Sequence, residues 1–358
     1  MSSEGLKRQI ALLTPSATAV SGTCGPVMSS FAARTPSTLS PRPRGSHAKL
    51  AKSGARGGLL RARQDATKAK AKASSSDPAP GPSAWDLSGA PDGLVLEFAK
   101  CMELAWRGLP GVRDAACAPD LKSVDAVGDA MDPGTKVRIE NLVFQSPKFR
   151  KMHLEVAWGL GGLEVAHVVV YPYACVGAPI YAADVVSFNG RVTLCIADTC
   201  PVVADLTLPQ SLVEAGRELR TQMMARAPSI EPRPVPEWGT AILSKENMVC
   251  VGPPKEDGAA QKQAAAFCEY ALLLFDTYAA FVEATAIGEN ENDHDDANAT
   301  YGGCTAKRHA QHVLFCEKQL ENDKTRKALE RSMGGPRTER YMTEVLFDVT
   351  AGTPTEPR

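Results

Sequence analysis

Five successive segments between Val137 and Asp198 switch side-chain character at every second residue, and this period of two constrains the fold more than any other feature of the chain. VRIENLVFQ (137–145) reads as a strand. In FRKMHLEVAW (149–158), Met152, Leu154 and Val156 point one way and His153, Glu155 and Ala157 the other. GLGG (159–162) is a turn, and LEVAHVVVY (163–171) follows with Leu163, Val165, His167 and Val169 on one face. IYAADVVSF (180–188) and RVTLCIAD (191–198) flank Asn189-Gly190, a dipeptide suited to the two positive φ values of a tight hairpin. Strands joined by turns this short run antiparallel, because a parallel pair needs a crossover of about a dozen residues. The segments therefore form an antiparallel meander and not a βαβ series.

On either side the period becomes helical. Leu94 to Arg107 places Leu94, Phe98, Met102 and Ala105 on one face. Helices are also expected over 208–227, Ala259 to Ala286, Thr305 to Met333 and Arg337 to Phe347, with a short strand pair within 240–251. A sheet in the middle with helices before and after predicts an α/β fold, a three-layer α/β/α sandwich with a central antiparallel sheet.

Charge divides the chain of 358 residues in two. Residues 1–80 hold 13 Lys/Arg and three acids, whereas the remainder holds 27 basic and 38 acidic residues. The first stretch is rich in Ser, Thr, Ala, Pro and Arg, and Phe31 is its only aromatic residue. It cannot bury enough apolar surface to offset chain entropy. Basic, Ser-rich and acid-poor, it has the composition of an organelle transit peptide. The expected organisation is a transit peptide and linker over 1–85 and one folded domain over 86–352. The acidic remainder argues against wholesale nucleic-acid or membrane binding.

Several local patterns imitate sites. Val165 to Ala183 carries no Asp, Glu, Lys or Arg short of Ala183, but Pro172, Gly177 and Pro179 interrupt it, so two strands and a turn fit better than a membrane span. GLGG lacks the spacing and following helix of a phosphate loop. No P-loop, GxSxG or HExxH occurs, and no nucleotide fingerprint points to nicotinamide or flavin. The ten cysteines include no CxxC and read as buried thiols. Cys304, His309, His312 and Cys316 match no zinc-ligand spacing, so no metal site is expected. The acidic run 288–296 lacks the glycine and distal glutamate of a calcium loop and reads as solvated.

One set differs. Glu155, His167 and Asp184 each interrupt an apolar strand. Centring the GLGG turn on Gly161 sets Glu155 directly opposite His167, and Asp184 on the next strand can join that face. Two carboxylates and an imidazole converging on one sheet face shift each other's pKa and can pass protons. The bland reading is a satisfied core histidine between two strand-edge acids.

FQSPKFRKMHLEVA (144–157), EVAHVVVYP (164–172), PIYAADVV (179–186), NDKTRKALE (322–330) and ERYMTEVLFDV (339–349) resemble the ferredoxin-dependent bilin reductases. The resemblance covers about 137–349. It implies the same α/β/α sandwich, with biliverdin IXα bound between the sheet and the C-terminal helices. It also implies that no metal, flavin or nicotinamide is bound, electrons arriving singly from the iron–sulfur cluster of reduced ferredoxin. By position, Asp184 matches the aspartate that protonates the bilin, His167 the histidine hydrogen-bonding its lactam oxygens, and Glu155 the glutamate protonating the D-ring exovinyl group. Arg233 and Lys324 match partners of the two propionates, Asn322 a pocket wall, and Thr193 a small hydroxyl residue. The His167–Glu155 combination is similar to members that reduce both vinyl groups, which implies an oxidoreductase acting on CH–CH groups, taking biliverdin IXα by four electrons to phycocyanobilin, D-ring first. Other bilin products, or a non-catalytic bilin carrier, are the alternatives. Ferredoxins are acidic, so a basic docking face is expected among Lys148, Arg150, Lys151, Lys327 and Arg331. A monomer in the plastid stroma completes the expectation.

Overall fold

In the computed structural model, residues 85–126, 136–159, 161–252, 260–287 and 301–357 are described. The basic stretch 1–84 and the acidic run 288–296 lie outside them. The five expected strands are β3 (Val137–Gln145), β4 (Phe149–Gly159), β5 (Leu163–Pro172), β6 (Ile180–Phe188) and β7 (Arg191–Cys200). Short strands β1 (Arg113–Asp114), β2 (Ser123–Ala126), β8 (Glu231–Pro232) and β9 (Val249–Gly252) complete a nine-stranded sheet. Its order is β1-β3-β4-β5-β6-β7-β9-β8, with β2 also paired to β3, and every pairing is antiparallel.

Two turns fix the register. Asn189 and Gly190 both take positive φ, 51° and 72°, as a two-residue hairpin of the right twist requires. Gly161 and Gly162 take φ of 68° and 107° in the neighbouring turn. The turns abut: the Asn189 N–H donates to the Gly162 carbonyl at 2.7 Å, and a side chain at Gly162 would strike Asn189. A slip of one residue in either hairpin would exchange the faces of every side chain on the strand.

The alternation divides the core in two. Met152, Leu154, Ala166, Val168 and Val185 face helices α1 (Leu94–Arg107), α3 (Gln210–Arg226) and α4 (Ala260–Ala284). Trp106 is fully buried there, its ring edge-on to Phe144 at 6.0 Å. Helix α4 is long and apolar enough to cross a membrane, but Phe267, Leu274, Phe275 and Tyr278 are spent on this core. Ile139, Ala157, Val169, Tyr171 and Ile180 face the opposite way, against α5 (Thr305–Leu320) and the C-terminal segment. Helices on both faces of an antiparallel sheet make the three-layer sandwich.

One unassigned stretch is filled and three local expectations are corrected. Between Pro119 and Ala126, where no element was assigned, lie a single helical turn, α2 (Pro119–Lys122), and β2. The strand pair expected within 240–251 is instead a 3₁₀ turn (Glu237–Ala241) and β9, which pairs with β7 and with β8 upstream. The helix expected over 305–333 is two helices, α5 and α6 (Asp323–Met333). Asn322 breaks it: its side chain accepts from the Thr325 N–H and so caps α6. The last helix begins as α7 (Gly335–Arg340) and widens to a π-helical turn over Tyr341–Leu346, which brings Tyr341 inward over the sheet.

Candidate active site

The register places Asn141 opposite Glu155, Glu155 opposite His167, His167 opposite Asp184, Asp184 opposite Ile196 and Ile196 opposite Cys250. Cross-strand neighbours share a face. One transverse row therefore carries the polar trio over the C-terminal layer, and the Arg233 N–H extends it by donating to the Cys250 carbonyl at 2.8 Å.

Exposure rises along the row. The Glu155 residue is 7% exposed, while the His167 and Asp184 side chains are 15% and 35% exposed. His167 Nδ1 lies 2.5 Å from Asp184 Oδ1, a charge-assisted hydrogen bond when the ring is protonated. Burial alone would lower the His167 pKa, but the Asp184 carboxylate, the hydrogen bond to it and Glu155 outweigh burial and raise it. His167 Nε2 is buried and makes no hydrogen bond, and Phe347 stands edge-on to the ring at 6.1 Å. Asp184 is the most open member of the row.

A second polar chain backs the first. The Tyr341 hydroxyl touches both Glu155 Oε2 and Asn141 Oδ1, the latter at 2.8 Å. Asn141 Nδ2 donates to the Leu121 carbonyl at 2.9 Å, which fixes the amide, and His153 Nε2 meets Asn141 Oδ1 at 2.8 Å. Burial holds His153 far below the ordinary histidine range, so its neutral ring donates through Nε2. The Tyr341 hydroxyl has one proton for two acceptors. Both contacts are satisfied when Glu155 carries a proton and donates it to Tyr341, which then donates to Asn141. Burial raises the Glu155 pKa in the same direction, against the opposing pull of His167 and Tyr341. Glu155 is thus a buried carboxyl with a raised pKa behind a more open His–Asp pair.

The remaining expected residues scatter. Arg233 is half-buried, its Nε buried and unpartnered, on a cavity of about 530 Å³ that Arg220, Met223, Met248 and Cys250 also line. None of the trio lines that cavity. Thr193 sits at the β6–β7 bulge, where its hydroxyl donates to the Val186 carbonyl at 3.3 Å. Asn322 is the α6 cap, and Lys324 lies exposed on the first turn of α6.

Three of the five residues expected at a docking face have partners within the chain. Lys148 donates to the carbonyls of Val282 and Thr285 at 3.1 and 2.6 Å, closing the end of α4. Arg150 and Lys151 are turned inward onto Asp348, their side chains 11% and 7% exposed. Lys327, paired with Asp323 at 3.0 Å, and Arg331 remain exposed on α6.

Tyr341, Asn141 and His153 were missed as site residues. Asn141 and His153 carried a signal, each being polar inside an apolar strand. Tyr341 lay in the segment 339–349 that carries the family resemblance, but nothing local to it points to Glu155.

A family model for ferredoxin-dependent bilin reductases matches residues 99–348, which span the sheet, the row and the C-terminal layer. The chain belongs to that family. It is therefore an oxidoreductase of the bilin reductase family. Among similar proteins, the phycocyanobilin:ferredoxin oxidoreductase of Synechococcus sp. (strain CC9605) is 32% identical over 255 residues, covering 71% of this chain and 92% of the relative. A second protein of that name, from Synechococcus elongatus (strain ATCC 33912 / PCC 7942 / FACHB-805), is 28% identical over 268 residues, 72% and 93% of the two chains. The crystal structure of phytochromobilin synthase from tomato, in complex with biliverdin, has the same fold, with a TM-score of 0.54, 13% identity and coverage of 73% of this chain and 85% of that one. Among the described residues, no three His, Cys, Asp or Glu are grouped to hold a metal ion.

Proposed function

We propose that this bilin reductase converts biliverdin IXα to phycocyanobilin, taking four electrons singly from reduced ferredoxin, at the D-ring exovinyl group first and then at the A-ring. The observation that carries the reading is the row Glu155–His167–Asp184, closed by a 2.5 Å contact at its open end and with the Glu155 carboxyl buried at the other. The names of the cyanobacterial relatives support the product, and the biliverdin complex of the tomato enzyme supports the substrate.

In this reading the chain supplies protons and position. Asp184 protonates the bilin, which then accepts an electron more readily. His167 shares the proton with Asp184 and directs its Nε2 at a lactam oxygen, and Glu155 delivers the D-ring proton. Each electron from ferredoxin is matched by one proton from the row, so charge does not accumulate on the tetrapyrrole. Arg233 and Lys324 would hold the propionates. No bound cofactor is required, because the conjugated bilin itself carries the unpaired electron between transfers. The basic, Ser-rich composition of 1–85 supports plastid import, and we place the enzyme, as a monomer, in the stroma.

The test is an anaerobic assay of the full chain with biliverdin IXα, ferredoxin and a reducing system, read by absorbance and product chromatography. Phycocyanobilin is the expected product. A product with one vinyl group reduced would keep the family and overturn the weight on Glu155 and His167. Asp184→Asn is expected to bind biliverdin and lose turnover by about two or more orders of magnitude, as removal of a positioned proton donor does. Full activity in that variant would refute the role.

A further inference from the structure

Away from the row, strand β4 enters the sheet with two adjacent cations, Arg150 and Lys151, and both are buried. One carboxylate answers them. Arg150 grips Asp348 through Nη1 at 3.0 Å and Nη2 at 2.8 Å, with its guanidinium 5.0 Å over the Tyr171 ring. Lys151 Nζ stands 3.2 Å from the same carboxylate and donates to the Val345 carbonyl at 2.5 Å. Glu344 reaches the rim, but Arg340 holds its carboxylate at 3.0 and 3.1 Å. Two positive charges against one negative leave an excess positive charge in a place where an uncompensated charge is costly.

Beside these groups is a cavity of about 90 Å³, lined by Arg150, Lys151, Asp348, Gln145 and Cys117 among others. The Arg150 Nε–H is buried and makes no hydrogen bond. It is a donor of the guanidinium that Asp348 does not take. The Lys151 ammonium has three donors, of which the Val345 carbonyl and Asp348 take two. The space is several times what one water needs, enough for a small ion.

We propose that this cavity binds a small monovalent anion of chloride's size, held by Arg150 Nε and Lys151 Nζ. The site neutralises the clamp by which Asp348 fastens the C-terminal segment to β4. That segment carries Tyr341 and Phe347 to the row, so anion occupancy stiffens the layer that covers the row.

The test compares thermal unfolding of the full chain in sodium chloride and in sodium gluconate at fixed ionic strength. Gluconate is too large for the cavity and supplies the same screening. The expected result is a saturable rise in Tm with chloride, about 2–3 °C at ten times Kd, by mass action on a chain this size. Lys151→Met should abolish the chloride dependence, while Lys100→Met, on the exposed face of α1, should leave it intact. Should Lys151→Met fail to fold, chloride NMR line broadening on the wild-type chain, displaced by nitrate, gives the same answer. Equal Tm in the two salts, with no chloride broadening, would overturn the proposal and mean that Lys151 is discharged by burial instead.

Discussion

At the residue scale, the protonation of Glu155 follows from counting hydrogens and from burial. Its folded pKa lies above the unfolded value, so the carboxyl contributes stability below about pH 4.3 and loses it as pH rises through the folded pKa. Glutamine has the shape of the protonated acid and keeps a donor toward Tyr341. Glu155→Gln is therefore expected to raise the urea midpoint relative to wild type above the folded pKa of Glu155. Below pH 4 the change should be within about 0.5 kcal/mol, as for an isosteric swap that keeps its hydrogen bond. The measurement is the midpoint as a function of pH, and a difference that is constant with pH would contradict a titrating Glu155. His167 is raised for the opposite reason: an ion pair overcomes burial there. The row thus holds two groups that retain protons, one through desolvation and one through a partner.

At the element scale, the break between α5 and α6 decides what Asn322 does. Asn322 gives the resemblance a pocket-wall residue, but the structure spends its side chain on the Thr325 N–H and hydroxyl. Asn322→Ala is expected to cost about 1 kcal/mol, the usual price of losing an N-cap. Asn322→Asp should recover it, with the negative charge favoured at that helix end. Circular dichroism through a urea titration reads both, and an unchanged Asn322→Ala midpoint would return the side chain to the pocket. The π turn at Tyr341–Leu346 is likewise a local departure that the helical period did not mark. The helical period over 305–333 and 337–347 showed that helix was present but read straight through the break at Asn322.

At the scale of the whole molecule, electron delivery is an electrostatic matter. The chain beyond residue 80 is acidic, so an acidic ferredoxin must find a local basic surface. With Lys148, Arg150 and Lys151 turned inward, Lys327 and Arg331 on α6 are what remains of the expected set. Charge reversal at Lys327 and Arg331 is expected to raise the KM for ferredoxin about tenfold at low salt, with kcat at saturation held, and raised ionic strength should erase the difference. A salt-independent KM would place docking elsewhere.

The sequence by itself determined the antiparallel sheet, its register over the central strands and the meeting of Glu155, His167 and Asp184. A side-chain period of two and short glycine turns are local rules, and together they leave one register that buries the apolar face. Only the tertiary structure decided which charges are free and which are spent. Lys148, Arg150 and Lys151 look like a surface cluster in the sequence, yet their partners lie more than a hundred residues away, at the end of α4 and at Asp348. The same holds for Tyr341, 186 residues from Glu155 along the chain. Contacts of that range depend on how whole layers close on one another, and no local pattern encodes them.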